Sequence, residues 1–427
     1  MDGTWAAPAT SARLQVVSPH SEQVVATVPE GSAADIDAAV AAARRAFDEG
    51  PWPRMSPQER IAVLEVFSGL YAARLEEMAA LITTEMGSPI SFSQLAQAPA
   101  PWMQIEAFLA IARDFAWEET RPGALGADVV VRREPVGVVA AIPPWNVPQF
   151  TTLSKVVPAL LAGNTVVLKP APETPLDTYL MAELLAEAGV PAGVVNIVAA
   201  GREVGEHLVA HPGVDKVAFT GSTAAGRRIA AVCGEQLKRV SLELGGKSAA
   251  IVLDDADLEA TMAGLRFVGL MNSGQACVAQ TRILAPRSRY DEVVDALAQT
   301  VSTMPVGDPE DPATEVGPMV ARRQQERVEK YIALGQEEGA RLVVGGNGMP
   351  AGLDRGWYVR PTVFADVDNR MRIAQEEIFG PVLSVIGYDG VDEAVRLATS
   401  TDGSTAPLDT CDSAAWMLEI RPGTSAA

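Results

Sequence analysis

The chain of 427 residues is poor in cysteine, histidine and positive charge, and each scarcity removes a class of explanation. Cys233, Cys277 and Cys411 are the only cysteines, far apart and without a C-x-x-C pair. That spacing argues against a disulfide scaffold or a zinc cluster and fits reduced thiols. His20, His207 and His211 are the whole histidine supply, and none lies near Cys277 in sequence, so a Cys/His dyad has few candidates. No uninterrupted apolar run reaches roughly 18 residues, the length a membrane-spanning helix needs. The opening residues, MDGTWAAPATSARLQ, lack the basic start and apolar core of a secretory leader. The expectation is a cytoplasmic protein. With 34 Lys and Arg against 54 Asp and Glu, the formal net charge is −20. A field of that sign repels phosphate backbones and anionic lipid, so neither nucleic acid nor membrane is an expected partner.

What is abundant points to a large folded chain. At 48% hydrophobic, with Gly and Pro spread along its length, the sequence suits two or three lobes. Ser32 followed by Asp35 resembles a capping signal, and Ile36, Val40, Ala43 and Phe47 then fall on one helical face ending before Gly50-Pro51. Ile61, Leu64, Phe67, Leu70 and Tyr71 predict a second helical stretch over roughly Pro57 to Glu85, so helices should dominate the first hundred residues. Pro122-Gly123 opens a turn, and the β-branched run Asp128 to Arg133 reads as a strand or hairpin outside the main core. Between Pro135 and Asp254, strand candidates Val138–Ile142, Thr165–Leu168, Val194–Val198, Lys216–Thr220 and Ala249–Leu253 alternate with helical stretches such as Leu180–Ala188 and Ala224–Val232. That alternation predicts an α/β fold with a parallel sheet covered on both faces. Leu258 to about Leu397 suits a second α/β lobe. From Thr401 no helix or strand period is visible, and a poorly ordered tail is expected.

Five segments carry chemical interest. A lone cysteine is more often a small buried hydrophobe than a nucleophile, but Cys277 sits in Asn272-Ser-Gly-Gln-Ala-Cys277-Val, a flexible polar stretch that suits an accessible thiol. Glu243 in Leu242-Glu-Leu-Gly-Gly-Lys247 is a carboxylate at a strand end before Gly245 and Gly246, where a ligand or loop can approach closely. Three prolines stiffen Ile142-Pro-Pro-Trp-Asn-Val-Pro148 around Asn146, whose amide suits an oxyanion donor. Phe219-Thr-Gly-Ser-Thr-Ala-Ala-Gly226 follows a strand and opens a helix, where backbone N–H groups can meet phosphate. It matches neither the Walker loop nor the G-x-G-x-x-G fingerprint. Gln375-Glu-Glu-Ile-Phe-Gly-Pro381 combines a carboxylate with an aromatic ring and, alone, is an ordinary turn.

In this order, PWN, the TVVLKP strand, FTGS, LELGGK, the cysteine loop and EEIFGP resemble the aldehyde dehydrogenase superfamily, over about Gly3 to Leu397. The resemblance implies a Rossmann-like parallel-sheet cofactor domain, an α/β catalytic domain and a small oligomerisation hairpin. Its implied boundaries are 1–120 with 136–245 for a discontinuous dinucleotide-binding domain, 121–135 for the hairpin, 246–400 for an incomplete catalytic domain and 401–427 for a divergent tail. It implies oxidation of an aldehyde to a carboxylic acid with hydride transfer to NAD(P)+. Cys277 is then the nucleophile, with its thiohemiacetal oxyanion held by Asn146 and the Cys277 N–H, and Glu243 activates the water that hydrolyses the thioester. Ile142, Trp145 and Lys169 would line the adenosine side, Gly221 and Ser222 would receive the pyrophosphate, Thr220 would support nicotinamide, and Glu377 with Phe379 would place the nicotinamide ribose. No metal is required.

Two departures matter. NAD-preferring relatives commonly carry an acidic residue three after the lysine; here Pro172 holds that position and Glu173 follows, so NAD is expected with NADP as the alternative. The Gly-rich segment, the PFGG-type loop and the terminal strand that family members carry are not recognisable after Leu397. That reading predicts exposed apolar surface, reduced stability, impaired activity and a weakened homo-oligomer. It also motivates an alternative, a catalytically impaired dehydrogenase-like binding or subunit protein; a cofactor-free cysteine hydrolase is a third reading. Val147, Met271, Ala276 and Val278 flank the reactive positions and point to an apolar aldehyde.

Overall fold

The structure is a computed structural model that describes residues 2–400. The expectations for Thr401–Ala427, including Cys411, lie outside the described residues. Contacts divide the described residues into two compact units, the first formed by residues up to Val17, Val24–Glu85 and Ser93–Glu243, the second by Ser18–Gln23, Met86–Phe92 and the described residues from Leu244. The excursions Ser18–Gln23 and Met86–Phe92 come from a stretch that the sequence assigned to the first domain alone.

The first unit begins with a hairpin that the sequence did not announce, β1 (Arg13–Val17) against β2 (Val24–Pro29). The helix Ala33–Asp48 follows with the anticipated capping box between Ser32 and Asp35, and it buries Ile36, Ala39, Val40 and Ala43. The expected second helix is two, Pro57–Ala72 and Leu75–Met86, and no glycine or proline marks the break between them. A second hairpin pairs β3 (Glu118–Pro122) with β4 (Asp128–Arg132) and leaves Val129 and Val130 exposed. Then come β5 (Val138–Ile142), β6 (Thr165–Leu168), β7 (Val195–Ile197), β8 (Lys216–Gly221) and β9 (Arg239–Leu244), in the sheet order β7-β6-β5-β8-β9. The β5/β6, β5/β8 and β6/β7 pairs are parallel. Every residue of β5 is buried, as a strand covered on both faces requires. Beyond β5 the chain runs outward through β6 and β7, then returns to β5's other side with β8. That reversal is a topological switch point, where open α/β sheets leave a crevice at the strands' carboxyl ends.

The second unit has its own sheet, built from β10 (Ala249–Ile251), β11 (Arg282–Pro286), β12 (Arg341–Val344), β13 (Thr362–Ala365) and β14 (Val382–Tyr388) in the order β10-β11-β14-β13-β12. Only β12 runs antiparallel. Strand alternation alone groups Ala249–Leu253 with the first sheet, whereas the implied boundary at 245 groups it with the catalytic domain; β10 opens the second sheet. The first sheet is completed by β9, whose half-exposed, charged sequence gave no buried-strand signal. Apolar clusters cover both faces of the second sheet: Val293, Val294 and Leu297 of the helix Tyr290–Ser302 belong to one, Val328 and Ile332 of the helix Arg322–Glu337 to the other. Among the described residues no helix is long and apolar enough to cross a membrane.

Inside the first unit, the fully buried Glu85 accepts the N–H groups of Leu176 and Asp177, the otherwise unpaired donors at the start of the helix Leu176–Glu187. Burial lifts Glu85 well above the usual carboxylate range, with the Asp177 charge adding to the rise, and pushes Asp177 itself up to about 7. A carboxyl raised in the folded state contributes stability that is complete below its unfolded pKa of about 3.9 and lost as pH climbs towards the folded value. Asp177→Asn should therefore raise stability at pH 8 by on the order of 2 kcal/mol and flatten the pH dependence between about 4 and 7. Urea unfolding at several pH values measures both.

Candidate active site

In the first unit the candidate residues gather at the switch point. Ile142 ends β5 opposite Phe219 of β8, Lys169 follows β6, and Thr220 and Gly221 end β8. Asn146 is buried in the loop leaving β5, where its backbone carbonyl accepts a hydrogen bond from Gln97 Nε2 (3.0 Å). Trp145 precedes it in the same half-buried loop. Ser222 caps the helix Thr223–Glu235 through its own Oγ, which accepts from the Ala225 N–H (3.4 Å), so the strand-to-helix junction expected of FTGS is present. Glu243 is the penultimate residue of β9 and is exposed.

Lys169 donates to the carbonyls of Pro170 (2.9 Å) and Ala200 (3.0 Å), which leaves one of its three N–H donors unspent. Burial lowers its ammonium to about 8, and the Glu173 carboxylate works against that fall. One residue of this half escaped the sequence reading. Lys155, on the helix Pro148–Leu161 that follows the Asn146 loop, donates to Thr220 Oγ1 (2.5 Å) and to the Thr151 carbonyl (3.1 Å). It ties that helix to the end of β8.

In the second unit the candidates gather at the amino ends of three neighbouring parallel strands. Gly245, Gly246 and Lys247 lead into β10, the cysteine loop into β11 and the Glu377–Gly380 segment into β14, and their registers place Ala249, Arg282 and Ser384 side by side. Gly245 packs against Glu377 so closely that an added Cβ would lie 2.2 Å from Oε2. The Gly246 N–H bonds to the Glu377 carboxylate, while burial, the largest effect, raises that carboxyl. Its Oε1 is buried without a hydrogen-bond partner.

The two glutamates of this segment are separated by their neighbours. Glu376 accepts from Tyr331 Oη (2.6 Å) and from Arg372 (2.7 Å) and is committed to the framework. Arg327 instead holds the Glu377 carbonyl (2.6 Å), and Gln324 Nε2 holds that of Phe379 (2.8 Å). Phe379 is left-handed (φ 64°), a costly conformation for an aromatic residue and one that concentrates at functional sites.

The cysteine loop is strained as well. Asn272 (φ 54°), Ser273 (φ 59°) and Gly274 (φ 73°) are successively left-handed. Buried hydrogen bonds hold them: Ser273 Oγ accepts from the Gly317 N–H (2.9 Å), and Gln275 accepts from the Val320 N–H (3.0 Å) while donating to the Pro318 carbonyl (3.3 Å). The bracing role of Gln275 is not legible in the sequence because Pro318 and Val320, which it ties to the loop, lie more than forty residues downstream. Cys277 itself is half-buried, whereas Cys233 is sealed and burial pushes its thiol up. Of the two described cysteines, Cys277 is the accessible one.

Residues 5–413 match the family model described as aldehyde dehydrogenase family. Geranial dehydrogenase of Castellaniella defragrans is 49% identical over 400 residues, covering 94% of this chain and 83% of that protein. An aldehyde dehydrogenase of Mycobacterium tuberculosis, solved with NAD+, is 50% identical with a TM-score of 0.92, covering 94% of this chain and 83% of the other. Aldehyde dehydrogenase C of Pseudomonas syringae, solved as a cysteine-to-alanine variant with NAD+ and octanal, is 43% identical with a TM-score of 0.91, covering 94% of this chain and 81% of the other. Relatives named as enzymes do not favour the binding-protein alternative.

The loop's dependence on Gln275 is open to measurement. Gln275→Leu strands the Val320 N–H and the Pro318 carbonyl inside the unit, and should lower stability by about 2 kcal/mol in urea unfolding. It should also change the rate at which iodoacetamide alkylates Cys277 by several-fold, whereas the same substitution at the surface Gln299 leaves that rate unaltered.

Proposed function

The chain belongs to the aldehyde dehydrogenase family, and we propose that it oxidises an apolar aldehyde to the carboxylic acid with NAD+ as hydride acceptor, through a thioester on Cys277. The observation that carries this reading is the accessible Cys277 on a strained loop braced against the segment bearing Glu377, within one sheet edge.

The residues fit a dinucleotide. At the switch point, Lys169 keeps a donor for the adenosine ribose, Ile142 and Trp145 line that side, and the Gly221-Ser222 junction offers N–H groups to the pyrophosphate. In the second unit the unsatisfied Glu377 Oε1 is an acceptor suited to a ribose hydroxyl, Gly245 leaves it room, and Phe379 is positioned beside it in sequence. Thr220, oriented by Lys155, supports the nicotinamide. The Glu173 carboxylate near Lys169 disfavours a 2′-phosphate and supports NAD over NADP. When bound, the cofactor supplies the hydride acceptor.

The chain's own groups do the rest. The Cys277 thiolate adds to the aldehyde carbon, and the oxyanion is held by the Asn146 amide and the Cys277 N–H. Loss of hydride from the thiohemiacetal leaves the thioester. Glu243 takes a proton from water, which attacks the thioester carbon, expels the thiolate and releases the acid. Exposure of Glu243 at the end of β9 supports contact with water. Val147 and Met271 are half-buried and Val278 is exposed, which suits an apolar aldehyde, while Ala276 is taken up in the core. Geranial and octanal, named for the two relatives, are substrates to try. The exposed Val129 and Val130 of the β3–β4 hairpin support homo-oligomer assembly.

The assignment predicts separable defects. With NAD+ and octanal, Cys277→Ala should form no NADH. Glu243→Gln should release about one equivalent of NADH per chain in a burst, then turn over on the order of 10²–10³-fold more slowly than wild type. A Glu243→Gln chain with an undiminished steady state would remove Glu243 from the base role.

A further inference from the structure

Lys247 follows Gly245 and Gly246 in the segment that leads into β10. Its side chain is buried within the second unit, and its Nζ has no hydrogen-bond partner. A buried, unpaired ammonium costs far more than the methionine or leucine that could fill the same space. The charged groups that face it are Arg282, Glu377, Glu376 and Arg327. Arg282 spends its guanidinium on the carbonyls of Lys247, Leu397 and Ala398 and on Asn369. Arg327 spends its own on the carbonyls of Glu377 and Ile378. Glu376 is bound by Tyr331 and Arg372. What remains is the Lys247 ammonium and the Glu377 carboxylate, each with a buried, unsatisfied atom.

We propose that Lys247 is a positioning residue for the cofactor: its ammonium keeps the Glu377 carboxylate ionised and oriented, so that both oxygens can accept hydrogen bonds from the nicotinamide ribose. The inference rests on the Glu377 role given above. The electrostatics agree with the geometry, because burial and then Arg282 lower Lys247 to about 7 while Glu377 favours its charged form. Lys247 in turn favours the ionised form of Glu377 against the burial that raises it. An occupied ribose site needs a charged Glu377 and therefore stabilises a charged Lys247.

Calorimetric titration of the full chain with NAD+ tests this without reference to turnover. Lys247→Met and Glu377→Gln should each weaken binding about tenfold. The double variant should be no weaker than either single one, since Lys247 acts through Glu377. Wild-type affinity should decline as pH rises above about 7, where Lys247 discharges. Lys247→Arg should retain affinity and lose that decline. Additive losses in the double variant, or a Lys247→Met chain that binds NAD+ as wild type does at every pH, would overturn the inference alone. A wild-type chain that binds no NAD+ would overturn the cofactor reading and this inference with it.

Discussion

The second unit's candidate site depends on one close approach of backbone to backbone. At Gly274 an added Cβ would lie 2.2 Å from the Gly380 carbonyl oxygen and 2.7 Å from the Pro381 nitrogen, so only glycine fits. To bring the chain into that contact, Asn272 and Ser273 must also turn left-handed, at a cost on the order of 1–2 kcal/mol each. The buried bonds of Ser273 and Gln275 offset that cost. On the far side of the contact, Phe379 is left-handed too. Two strained loops thus brace each other, one bearing Cys277 and the other Glu377, and both are referenced to the same sheet edge.

That arrangement explains how loops can hold the candidate residues without drifting. Of the strands behind them, β11 is buried throughout and β14 at all but Gly387, and their parallel register sets which loop lies beside which. Rigid elements supporting irregular, strained termini is the condition under which side chains stay within reach of a productive geometry. The first unit follows the same plan at its switch point, where Lys155 joins a helix to the end of β8. In both units a polar residue absent from the obvious motif fastens a residue that belongs to it.

Local signals were legible where local physics decides. The Ser32–Asp35 box, the apolar runs of β5 and β6 and the strand-to-helix junction at Ser222 stand where the sequence puts them. Glu377 and Cys277 stand out in the sequence through motif order and not through composition. Legibility ended where partners are distant or patterns mixed. The break after Ala72 carries no glycine or proline, and β9 is exposed along much of its length. β10 is three residues of unremarkable apolar sequence whose sheet is chosen by tertiary pairing. Gln275, Lys155 and Lys247 each read as an ordinary polar residue until the fold supplies what surrounds them.

The central claim is that Cys277 carries the acyl group, and intact-protein mass spectrometry tests it most directly. A Glu243→Gln chain mixed with NAD+ and octanal should gain the mass of one octanoyl group, located by peptide mapping on the peptide containing Cys277, with one NADH formed for each adduct. NADH formed without any acyl adduct at Cys277, or an adduct mapped to Cys233, would contradict the account.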